Sequence, residues 1–144
     1  MTEVLILPAI YMGLVIGLYE FFAIHKDLAF RGSHFLKHFW HSLIVTMIFI
    51  FVLMNIDFVF ESIPQLADIP FIGNHIVVRV IVGLITLLKV HGAGIVARGA
   101  GGMGSIGETW AHALIITLLI QGTPFAWEPI IKPLFEQYLA FLPI

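Results

Sequence analysis

Gly32-Ser33-His34-Phe35-Leu36-Lys37-His38-Phe39-Trp40-His41 runs without a break into the apolar stretch 42–54. On a helix the three histidines fall at i, i+4 and i+7, within an arc of roughly 60° on one face. The stripe leads from a basic connection into a segment apolar enough to cross a bilayer. No other part of the chain repeats a chemical group with a helical period, and the remaining ionisable residues can be placed around it.

Composition sets the class. Of 144 residues 60% are hydrophobic and 11% charged, whereas a water-soluble domain carries roughly a quarter charged residues. The mean hydropathy is +1.03. These values describe an all-α, polytopic integral membrane protein. A net charge of −2, with seven Lys and Arg spread along the chain, builds no basic patch and sets nucleic acid aside. The absence of cysteine removes disulfides and thiolate ligands, so a bound transition metal would need nitrogen and oxygen donors.

A spanning helix needs about 20 mainly apolar residues. Four stretches are expected to span, about 4–24, 34–55, 76–98 and 105–122, the last a short helix that meets Gly122-Thr123-Pro124. The N-terminus has no basic region before its apolar run and no small-residue cleavage site after it, so the first span is expected to be retained. The second connection, 56–74, mixes apolar residues with Pro64, Pro70 and Gly73 and suits a segment lying in the interface. The tail 128–142 sets Glu128, Lys132 and Glu136 at four-residue spacing among Ile131, Leu134 and Tyr138 and reads as an interfacial amphipathic helix. The whole is one transmembrane domain, 1–144.

Basic residues orient it. Lys26, Arg31 and Lys37 flank the first connection and Arg98 stands in the third, whereas the second holds Asp57, Glu61 and Asp68. The positive-inside rule then puts both termini outside and the first and third connections in the cytoplasm; the plasma membrane is the expected location. The third connection, read as 92–107, is rich in glycine but matches neither a P-loop nor a dinucleotide fingerprint, and is read as a hinge with tight helix packing.

With a rise of about 1.5 Å per residue, Glu20 lies roughly 8 Å, His41 about 4 Å and Lys89 about 3 Å to the cytoplasmic side of the midplane. His112 reaches a similar level. Such groups are costly in hydrocarbon and should face one another. Gly13, Gly17 and Glu20 share the small-residue face of the first span, and Thr86 and Lys89 share a face of the third. Glu20 and Lys89 are therefore expected to pair, with His38, His41 and His112 close by; the competing reading is that Lys89 and Glu20 snorkel to the headgroups. Outward along the histidine face lie Val45, Ile48 and Val52. A half-pocket or a gated proton path fits that pattern better than an open pore.

The first functional expectation is an ion or proton conduit, with Glu20, His38, His41, Lys89 and His112 as the relay. The alternative is a redox subunit binding haem or an N/O-ligated transition metal through His34, His38, His41, Glu108 and His112. The His-x3-His element is similar to one histidine box of the membrane desaturases and hydroxylases, but the later His-His boxes of that family are absent and none of its properties is carried over. A third reading is an accessory subunit of a larger membrane complex. No nucleophile or nucleotide motif supports catalysis. The expected partners are the lipid bilayer and either further copies of the chain or the other chains of a complex, with Gly13-x3-Gly17 as a packing element.

Overall fold

The computed structural model describes residues 3–25, 34–99, 106–139 and 141–142. It is helical, with no strand among the described residues. The helices are α1 (Ile6–His25), α2 (His34–Met54), α3 (Ile56–Ser62), α4 (Gln65–Asp68), α5 (His75–Gly99), α6 (Ile106–Ala126) and, after a π-helical turn over Trp127–Ile131, α7 (Lys132–Tyr138). Three helices are long and apolar enough to cross a membrane, and a fourth counts if α2 and the bent α3 form one span. The chain is a membrane protein.

Helix α1 begins with Pro8 in its first turn, where a missing N–H costs nothing because the first four amides have no intrahelical acceptor. The cap comes from elsewhere in the chain. Asn55 Oδ1 accepts from Leu5 N at 2.6 Å, while Asn55 Nδ2 donates to Leu5 O at 3.3 Å and to Phe51 O at 2.9 Å. One buried amide thus fastens the start of α1 to the end of α2, at the point where the chain turns by 79° into α3.

Packing is pairwise: α1 lies mainly on α2, and α5 on α6. Glycine sets the first seam. A Cβ on Gly13 would stand 2.9 Å from Met47 Cα, and one on Gly17 3.1 Å from Leu43 Cα, so neither position leaves room for a side chain. In the second pair Gly83 lies against Gln121, whose Nε2 donates to Arg79 O at 2.9 Å. Ile50, Leu53, Ile116 and Ile120 fill the centre.

Several boundaries differ from the sequence reading. Helix α5 continues through Gly92 and Gly94 to Gly99, so the glycine-rich connection is shorter than 92–107; residues 100–105 lie outside the described residues. Nor does the fourth helix stop at Gln121-Gly122. It passes through Pro124 and into the π-helical turn, and the stretch Trp110–Tyr138 forms one candidate span. Proline removes one backbone donor and crowds the carbonyl four residues back; widening the helix by one residue per turn at Pro129 relieves that crowding without ending the helix. Trp127 is 2% exposed, which places the start of the expected surface helix in the core. The basic residues Lys26 and Arg31, on which the orientation rests, lie outside the described residues, as do the side chains of Lys37 and Arg98.

Candidate functional site

Glu20 is 4% exposed and sits on the α1 face that carries Gly13 and Gly17. The two glycines bring α2 close enough for Thr46, 1% exposed, to reach it: Thr46 Oγ1 donates to Glu20 Oε2 at 2.9 Å. Close backbone approach and an interhelical hydrogen bond are the two devices that hold helices together where lipid competes equally for apolar side chains. Phe21 and Phe39 stack edge to face at 5.2 Å beside the pair. An ionisable group in the bundle, bonded to one neutral hydroxyl, is the most unusual chemical feature of the described structure.

The expected Glu20–Lys89 pair does not form. Lys89 is exposed on α5 and makes no ion pair among the described residues. Depth along each helix puts the two groups in the same half of the bilayer; the rotation of α5 turns Lys89 outward while Thr86 on the same helix is fully buried and donates to Val82 O. His41 is likewise exposed, and His112 is half-buried on α6. The side chains of His34, His38 and Glu108 lie outside the described residues. Among the described residues no three His, Asp or Glu side chains come together in a way that could hold a metal ion. Among the described residues of one chain, then, Glu20 is joined to Thr46 and to none of the other expected site residues.

Thr46 lies off the histidine face of α2, which continues through Val45 and Ile48, so the histidine spacing does not point to it. The signal was the hydroxyl pair Ser42-x3-Thr46, one turn apart on the adjacent face. A second feature the spacing does not reveal is His91, buried between α5 and α6 and stacked on Trp110 with ring centroids 3.6 Å apart; its Nδ1 is buried without a hydrogen-bond partner among the described residues.

Comparison with protein-family models, curated proteins and solved structures finds no match. Fold and composition alone define the class: an all-α polytopic membrane protein with a carboxyl group buried in a glycine-tightened helix seam.

Proposed function

We propose that the protein is a small membrane transport protein, an ion or proton conduit, in which Glu20 is the titrating group and Thr46 positions it. The observation that carries the reading is the burial of Glu20 on the α1–α2 seam with, among the described residues, one hydroxyl partner and no cation in an ion pair with it. An ionisable residue inside a membrane bundle is retained at a cost and by default marks a functional site, ion paths and proton relays among them. A proton suits this site better than a metal cation, because one hydroxyl and one carboxyl are too few oxygens to replace a hydration shell. Outward from Glu20 the seam is apolar as far as Asn55, which favours a gated single-site carrier over an open pore.

Lys89 and His41 enter the scheme through oligomerisation. Little of the α5 stretch His75–Ile95 is buried within the chain, and it presents the exposed Lys89 side chain far from either helix end. A second copy of the chain packed on that face would shield Lys89 and let the inner polar layer, with His38 and His112, assemble between chains. Charge asymmetry of the connections supports an orientation with both termini outside, and the membrane of this proposal is the plasma membrane.

The test is reconstitution of the purified protein in vesicles carrying an internal pH dye. Wild type should dissipate an imposed pH gradient, and Glu20→Gln, which keeps the Thr46 hydrogen bond, should abolish that flux. Undiminished flux in Glu20→Gln sinks the proposal. The haem or metal alternative rests on His34, His38 and Glu108 with His41 and His112; a Soret band or stoichiometric metal in the purified protein would favour it.

A further inference from the structure

On the far side of α5 from Lys89, roughly 120–160° round the helix, α5 and α6 enclose an open groove of about 400 Å³. Its walls include Val80, Leu84, Leu87 and Phe125, and its polar side chains are Arg79, Gln121 and Thr117. Arg79 stands at one end, its guanidinium carbon 5.2 Å from the centre of the Phe125 ring. The Nη1 atom is buried and has no hydrogen-bond partner among the described residues. Thr117, 7% exposed, also has a buried hydroxyl without a partner. Two carboxylates of the elements at the outer end are occupied: Asp57 pairs with His75 at 3.1 Å and Glu128 with Lys132 at 3.3 Å. Arg79 makes no ion pair among the described residues.

An unpaired guanidinium at the mouth of an apolar groove is complementary to an anion that carries a hydrocarbon chain. The groove's length is informative as well. Ile76 and Leu87 bound it along α5, and eleven residues at about 1.5 Å each give roughly 16 Å, one leaflet of a hydrocarbon core about 30 Å thick.

We propose that the α5–α6 groove is a binding site for one anionic phospholipid. The phosphate lies on the Arg79 guanidinium, which presents a fork of donors to its oxygens. One acyl chain follows Val80, Leu84 and Leu87. The second N–H of the Gln121 amide and, one turn deeper, the Thr117 hydroxyl are donors for the ester oxygens. Gly83 keeps the floor low where Gln121 crosses it.

The full-length protein is reconstituted in bilayers of equal parts phosphatidylglycerol and phosphatidylcholine with matched chains, then extracted gently, and retained lipid is weighed by native mass spectrometry. Wild type should keep one phosphatidylglycerol in preference to phosphatidylcholine by at least about fivefold, the worth of a single basic side chain near anionic lipid. Arg79→Gln should abolish that preference, while Lys132→Gln, which removes an exposed cation at the same end, should leave it in place. Val80→Trp fills the groove with Arg79 intact and should also lose the lipid, which keeps the test decisive if Arg79→Gln does not fold. Equal retention of both lipids by wild type, an equal loss in Lys132→Gln, or crosslinks from Leu84 to a second copy of the chain would overturn the proposal.

Discussion

Replacing Gly13 by alanine tests whether the α1–α2 seam holds Glu20 in place. In an open helix the change stabilises by up to about 1 kcal/mol, because glycine is the poorer helix former. At Gly13 the added Cβ would meet the Met47 side chain and stand 2.9 Å from Met47 Cα, a backbone atom that cannot swing away. Forcing a methyl group into a closed contact costs about 1–3 kcal/mol, so the net effect lies between about zero and a loss of about 2 kcal/mol. Gly17→Ala should cost less, since its contacts with Leu43, Cδ2 at 3.0 Å and Cα at 3.1 Å, are looser than those at Gly13 and need the neighbour to give by only a few tenths of an ångström. Gly92 and Gly122 serve as controls inside helices: nothing lies within 4 Å of a Cβ at either position, and alanine there should stabilise by about 0.5–1 kcal/mol. Unfolding in mixed micelles, titrated with denaturing detergent and followed by helicity, ranks the four variants. A Gly13→Ala protein as stable as Gly122→Ala would refute the seam, and with it the reason Thr46 reaches Glu20.

Thr46→Val keeps the volume and removes the donor to Glu20; the unfolding free energy in the same assay should fall by about 0.5–1.5 kcal/mol, the range for hydrogen bonds between membrane helices. Asn55→Ala leaves the Leu5 amide without its 2.6 Å partner and should cost about 1–3 kcal/mol, with hydrogen exchange accelerated at the first turn of α1. Trp110→Ala unstacks His91 and should cost about 1 kcal/mol beyond the area lost, read as a larger drop in the unfolding midpoint than Trp40→Ala produces on the exposed face of α2. Lys132→Ala breaks an exposed pair with Glu128 and should change stability by less than about 0.5 kcal/mol; a larger loss would mean that α7 is held by that pair and not by its packing against Tyr11 and Trp127.

Membrane class, all-helical architecture and the small-residue face of α1 were legible in the residues themselves. Apolar length reports whether a segment can cross a bilayer, and a rise of about 1.5 Å per residue reports how deep each group lies. Both are properties of one helix at a time, so Glu20, His41 and Lys89 could be set at similar levels without coordinates. Rotation about the axis and the choice of neighbour are not. Lys89 lies outward because α5 rests on α6 through Gly83 and Gln121, and Glu20 meets Thr46 because Gly13 and Gly17 admit α2 and no other helix so closely. The local cues at Gly122 and Pro124 also misled: they mark a helix end in isolation, yet the burial of Trp127 and the widened turn at Pro129 carry the helix on. Depth belongs to the sequence; azimuth and partner belong to the packed bundle, since only contacts between helices distinguish one rotation of an apolar cylinder from another.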